Sequence, residues 1–158
     1  MQKHTKIILT VLVTGFLVWF LWFALSPLVI DKVVKDENQL SSNISNSEIP
    51  AIYEGSFTDA DNFHKVSGTA KIISQGGKKY LRLENFEATN GPDLYVYVSK
   101  DKTNDDFVNL GKLKGNIGDQ NYELKEDVNF DEYNNVLIWC RTFHVLFGSA
   151  EISRSGQA

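Results

Sequence analysis

Between Lys6 and Asp31 the chain runs from Ile7 to Ile30, twenty-four residues, without one charged side chain. As an α-helix rising 1.5 Å per residue, that run is about 36 Å long, more than the roughly 30 Å of a bilayer's hydrocarbon core. A helix apolar on every side needs either a large protein core or lipid around it. The rest of this chain is too small to supply such a core, so the run is read as a transmembrane helix. Thr10, Thr14 and Ser26 can return their hydroxyls to helix carbonyls, and Gly15 is tolerated in such a setting. Trp19 and Trp22 lie a little beyond its middle, and Pro27 comes near its end. Lys3, His4 and Lys6 precede the run, whereas Asp31, Lys32, Lys35, Asp36 and Glu37 follow it. The positive flank is N-terminal, which predicts a cytoplasmic stub at 1–6 and export of everything after the helix. A cleaved signal peptide is the competing reading. Its apolar region would span about 7–15 residues, shorter than this one. Ala24-Leu25-Ser26 resembles a cleavage site, but Pro27 immediately after it hinders cleavage. The segment is therefore expected to act as an uncleaved signal anchor in a single-pass protein of the cell membrane.

Residues 31–50 are expected to form a flexible linker. The stretch from Lys35 to Pro50 is rich in Ser, Asn and acidic groups and poor in large apolar ones. Too little surface can be buried there to offset the entropy lost on ordering. Asn43-Ile44-Ser45 is a glycosylation sequon, permissible in an exported stalk.

From Tyr53 onward the pattern becomes short apolar segments separated by turn signals, and the domain is placed at 51–154, with a tail at 155–158. Most of the aromatic residues lie here, enough to build a core. Cys140 is the single cysteine, so packing alone must hold the fold without an intrachain disulfide. The net charge of −4 with no basic cluster argues against nucleic-acid binding. Thr69–Ser74 and Lys79–Phe86 flank Gln75-Gly76-Gly77-Lys78, a hairpin. Within the second segment, Leu81, Leu83 and Asn85 alternate with Tyr80, Arg82, Glu84 and Phe86, giving one apolar and one polar face in its middle. After the turn at Asn90-Gly91-Pro92-Asp93, Leu94, Val96 and Val98 alternate with Tyr95, Tyr97 and Ser99, a strand covered on both faces. Gly111, Gly115 and Gly118 mark tight turns within Leu110–Tyr122. A short strand at Tyr122–Leu124 precedes a polar stretch, 127–134, with one helical turn. Asn135–Phe143 reads as a central strand. Val145–Ile152 closes the domain, with Gly148 at a bulge or close approach. The fold class is all-β, an antiparallel sandwich or barrel-like domain tethered by one N-terminal helix.

Chemistry has few candidates. A Cys140 thiolate could ligate a metal, serve an electron-transfer centre or cycle through a disulfide. Equally, a free cysteine in a central strand packs as a small hydrophobe. His144 shares a strand face with Cys140, but in a straight strand the two backbones would lie about 13 Å apart. A copper site with two His and one Cys could add His64, but the axial Met it often uses could only be Met1, across the membrane. Asp93 is a polar group that could lie near Cys140. Tyr95, Tyr97 and Trp139 could relay electrons or simply pack. Arg141 is expected to pair with a carboxylate or stack on a ring. Asp105-Asp106 sit in a polar loop, and no nucleophilic triad or phosphate loop is present. A stand-alone enzyme is therefore not expected.

In order along the chain, LRLENF (Leu81–Phe86), NGPDLYVYVS (Asn90–Ser99), LGKLKGNIGDQNYEL (Leu110–Leu124) and VLIWCRTFHVLFGSAEI (Val136–Ile152) resemble the DM-thirteen domain. That family is often described as an electron-transfer domain, and the resemblance covers about residues 53–152. It implies a β-sandwich-like fold outside the cytoplasm and a redox role centred on the cysteine of the IWC motif, Cys140. Asp93, Tyr95, Trp139 and His144 are its candidate supporting residues. The cofactor stays unknown: the family's companions, which include haem-binding and cytochrome domains, bring in haem, and the Cys140 and histidine reading brings in copper. No such companion is present in this chain, so an electron partner would be a separate protein or bound cofactor. The alternative is a non-redox cell-surface module binding a protein or glycan, with Cys140 only packing.

Overall fold

The structure is a computed structural model that describes residues 2–36, 50–124 and 128–156. The expected linker between 37 and 49, with its sequon at Asn43, lies outside the described residues, as do the last two residues of the tail.

The chain divides into two units, 1–30 and 31–158. The first is helix α1, Gln2–Val29. Its stretch His4–Trp22 is long and apolar enough to cross a membrane. Thr10 Oγ1 donates to the Lys6 carbonyl at 2.9 Å and Thr14 Oγ1 to that of Thr10 at 2.9 Å, so neither hydroxyl is left unpaired along the helix.

The second unit is antiparallel β structure in strands β1 (Ala51–Asp59), β2 (Val66–Gln75), β3 (Lys78–Ala88), β4 (Leu94–Ser99), β5 (Phe107–Lys112), β6 (Gln120–Leu124), β7 (Asn135–Cys140), β8 (Val145–Glu151) and β9 (Ser153–Arg154). The order across the sheet is β5-β4-β7-β8-β1-β2-β3-β6, with β9 on β1. Its two edges, β5 and β6, come together along a cleft of about 310 Å³ lined by Val108, Leu110, Gly111, Glu123, Leu124 and Val128. The result is a nearly closed barrel, and the all-β expectation is met.

Local sequence explains much of this. Gly76 and Gly77 turn the β2–β3 hairpin with φ of 59° and 78°, the double left-handed geometry that matches strand twist. β4 is buried on both faces except at Tyr95. Gly148 does mark a close approach. A Cβ there would stand 2.6 Å from Val66 Cβ, and the β7–β8 register slips beside it.

The structure departs from expectation at Phe86 and at residues 31–36. Phe86 does not join Arg82 and Glu84 on the polar face, for it is buried in the core. A bulge opposite Gly68 puts Asn85 at φ 48° and shifts the alternation by one residue. Nor does the chain come free at Asp31. Residues 31–36, expected as linker, lie along the loop before β6. Val34 N–H donates to the Ile117 carbonyl at 2.8 Å, and Val33 bridges Ile117 in parallel. The Asp31 carboxylate accepts from Asn90 and Asn116 side chains, each at 2.8 Å, and Asp36 pairs with Lys114. Polar side chains and free backbone groups satisfy each other here, which composition alone does not reveal.

The antiparallel register sorts the connections to two ends. The loops 60–65, 89–93, 113–119 and 141–144 share one end with the 31–36 segment. The Gly76-Gly77 turn, the loop 100–106 and the start of β1 share the other.

β1 depends on Gly55, where a Cβ would stand 2.0 Å from the Glu151 carbonyl oxygen and 3.1 Å from Ile152 Cα. Because both obstacles are backbone, Gly55→Ala is expected to cost at least about 1–3 kcal/mol. Chemical denaturation should show the loss as a lower midpoint with an unchanged slope.

Candidate functional site

β4 and β7 pair in the interior of the sheet, with Leu94 opposite Cys140, Val96 opposite Ile138 and Val98 opposite Val136. All six are buried and belong to the core cluster. Successive side chains on a strand point to opposite faces. Tyr95 opposite Trp139 and Tyr97 opposite Leu137 therefore form a second, outer layer. There the Tyr97 ring lies 4.4 Å from that of Phe107 and 6.1 Å from that of Tyr95, between centroids. The Arg141 guanidinium stands 5.2 Å from the Tyr95 ring, so the expected stacking occurs. Burial pushes the Tyr97 hydroxyl above the ordinary phenol range, against the opposing pull of Arg141. The indole Nε1 of Trp139 is buried without a hydrogen-bond partner.

Cys140 ends β7 and is 0% exposed, between Leu94 on β4 and Val145 on β8. Disulfide exchange needs a thiolate that another sulfur can approach in line. In the folded domain this sulfur offers no such approach.

The candidate supporting residues gather along the same strand pair, but not on the sulfur. The Asp93 carbonyl accepts from the Arg141 N–H at 3.0 Å, so its backbone adjoins Cys140 in the register. Its carboxylate, however, turns to Lys112 Nζ at 3.2 Å and the Thr142 hydroxyl at 3.4 Å. Tyr95 and Trp139 stand on the opposite face of the sheet. β7 stops at Cys140, three residues earlier than expected, and the chain reverses through 141–144. His144 sits in this turn at φ 53°, exposed where Cys140 is sealed. His64 is committed elsewhere: its Nδ1 is 2.7 Å from Asp61 Oδ2, and its ring lies 4.3 Å from that of Phe147. Among the described residues, no three His, Cys, Asp or Glu side chains group as metal ligands would.

Other features were not anticipated. Arg82, nearly buried, donates to Glu84 at 2.7 Å, Asn121 at 3.0 Å and Asp119 at 3.0 Å. Burial resists charge on Glu84, yet Lys71 and Arg82 hold its carboxyl below the usual range. An arginine amid the leucines of a strand was the signal for such a network. At the second end, a cleft of about 410 Å³ is lined by Ile52, Tyr53, Phe130, Asp131 and Arg154, among others. Asp131 accepts from the Tyr53 hydroxyl at 2.9 Å and from Arg154 at 2.7 Å.

Fold and site together define a small, all-β domain with a sealed thiol, preceded by a helix capable of crossing a membrane. The chain belongs to the electron transfer DM13 family, whose model matches residues 56–152. No curated protein and no solved structure matches it.

Two outcomes follow from the site's packing and charges. Cys140→Val should cost under about 1.5 kcal/mol, while Cys140→Ser, which buries a hydroxyl, should cost about 1–3 kcal/mol. Thermal unfolding of the two variants checks the order. Separately, Asp61 accepts from the His64 ring and from the backbone N–H groups of His64 and Phe63, which lower its carboxyl to about 2. A depressed carboxylate stabilises the fold above its unfolded value and ceases to do so as pH falls through the folded one. The stability gap between wild type and Asp61→Asn should therefore close between about pH 4 and pH 2, measured by urea denaturation across that range.

Proposed function

We propose that this protein is a single-pass membrane protein whose β domain stands outside the cytoplasm and serves electron transfer with a separate partner. Membership of the electron transfer DM13 family carries the electron-transfer part. The apolar stretch His4–Trp22 supports the anchor, and the basic residues before it support a cytoplasmic N-terminus. Cys140 is the redox candidate, with Asp93, Tyr95, Trp139 and His144 as supporting candidates along the same strand pair and its turns. Its burial sets a condition on the role. Chemistry at sulfur needs the barrel to open locally around Cys140, because the folded thiol meets no solvent. Without that opening, electrons reach the strand pair only through its outer layer of Tyr95 and Trp139.

The same burial favours a second reading. In it Cys140 only packs, and the domain binds a protein or glycan at the cell surface. The Tyr53–Asp131–Arg154 cleft then offers ring, carboxylate and guanidinium to a polar ligand.

One set of measurements on the full chain in nanodiscs separates the two. The domain is scanned for visible absorbance, and its thiol is titrated with a maleimide before and after mild oxidant. Electron transfer through Cys140 predicts slow labelling in the folded state, loss of that labelling after oxidation, and loss of partner-dependent oxidation in Cys140→Val. A thiol that labels only on global unfolding, in a colourless protein whose Cys140→Val variant behaves as wild type, leaves the packing reading. For the anchor, carbonate washing of membranes is expected to leave the full-length protein in the pellet.

A further inference from the structure

Among the described residues of the domain, the two most exposed aromatic rings are Phe63 and Phe143. Phe63 is 84% exposed and Phe143 is 66% exposed. Single exposed hydrophobics are ordinary, but these two occupy loops at the same end of the barrel. Neither is on a loose tip. Asp61 Oδ1 accepts the backbone N–H of Phe63 at 2.7 Å and that of His64 at 2.8 Å. The His64 ring packs on Phe147, and the Ala60 N–H donates to the Phe147 carbonyl at 3.1 Å. Phe143 projects from the reversal 141–144, which is tied to the neighbouring loop by the Arg141 N–H on Asp93. The loops holding the two rings are thus braced against one another through β8.

This is also the end that receives the segment 31–36. Asp31 is held by Asn90 and Asn116, and the Lys32 N–H donates to Asn116 Oδ1 at 2.6 Å. α1 ends at Val29. Only Ile30 separates the helix from the first residue fastened to the domain. Val33, in the fastened segment, is 60% exposed.

We propose that this end of the barrel docks on the surface of the bilayer that holds α1, with Phe63 and Phe143 inserted among the lipid headgroups. The inference rests on the anchor reading above. At this end Lys65 pairs with Asp59, Lys112 with Asp93 and Lys114 with Asp36. The exposed Lys32, Lys35 and Arg141 are balanced in number by Asp31, Asp61 and Asp119, so the end carries no net positive charge. Attraction to anionic lipid is therefore not the driving force. Two aromatic wedges alone would hold a free domain only briefly. Tethering makes their insertion intramolecular, which raises its effective concentration and makes two sufficient. The interaction should be insensitive to salt and to the fraction of anionic lipid.

The test uses the full chain in phosphatidylcholine nanodiscs. An environment-sensitive fluorophore is placed at Phe63→Cys, at Phe143→Cys, and at Lys102→Cys in the loop at the opposite end. Quenching by headgroup-region spin-labelled lipid is then compared. Labels at 63 and 143 are expected to be quenched several-fold more than the label at 102, equally at low and high salt. Quenching at 63 and 143 no greater than at 102 overturns the proposal. So does protection of those labels that grows with protein concentration and not with spin-labelled lipid, which would assign the face to a second copy. Carbonate washing separates the failures. A protein that stays in the pellet but shows no differential quenching keeps its anchor and loses the docking, whereas a protein released by carbonate loses both.

Discussion

β1 has to serve two halves of the barrel at once. Its first part, Ala51–Ser56, pairs with β2, while its last residues, Phe57–Asp59, pair with β8. On its other side Tyr53 and Glu54 pair with β9. The strand therefore turns a corner, and Gly55 lies at that corner, against the backbone where β8 gives way to β9. Antiparallel sheets close only if some strand bends enough to belong to both sides. With a single cysteine there is no disulfide to hold such a bend, so backbone approach and packing must do so. The core cluster runs across the join, from Ile72 and Leu83 on one side to Ile138 and Ala150 on the other. Val136, Ile138 and Cys140, on the inner face of β7, belong to the same cluster.

That closure shapes what the domain can do. A thiol at 0% exposure is protected from oxidants in solution. The same protection separates it from any partner's sulfur or metal. Within the strand pair, Tyr95, Tyr97, Leu137 and Trp139 lie on the outer face and Cys140 on the inner, so the sheet itself stands between the thiol and Tyr95 and Trp139. The domain also has a direction. Asp31 is fastened at one end, while β1 begins at the other, so the chain enters beside the loops 60–65 and 141–144 and starts its sheet at the far rim.

Much of the barrel was legible because it depends on local rules. Two adjacent glycines between alternating segments can only turn, and Gly76-Gly77 does. Bulky residues at every position of Leu94–Val98 require cover on both faces, and β4 has it. Gly148 in a closing strand meant that something comes close, and Val66 does. Where the reading failed, a non-local event had intervened. Phe86 changed faces because a bulge at Asn85 reset the alternation, and that bulge is placed by pairing with Gly68. Gly111 signals a tight turn in the sequence, yet its φ of 117° lies inside the paired strand β5. The segment 31–36 looked like linker because its partners, Asn90, Asn116 and Ile117, are remote in the chain.

By itself the sequence determined the uncharged helix, the all-β class, the family and the identity of the one thiol, since each depends on composition, period or motif order. Tertiary structure alone decided that the thiol is sealed, that Asp93 turns away from it, that His144 is exposed, and that Phe63 and Phe143 share an end with Asp31. The reason is physical: burial and neighbourhood are set by which strands pair across the barrel, and pairing is a property of the closed sheet and of no single segment.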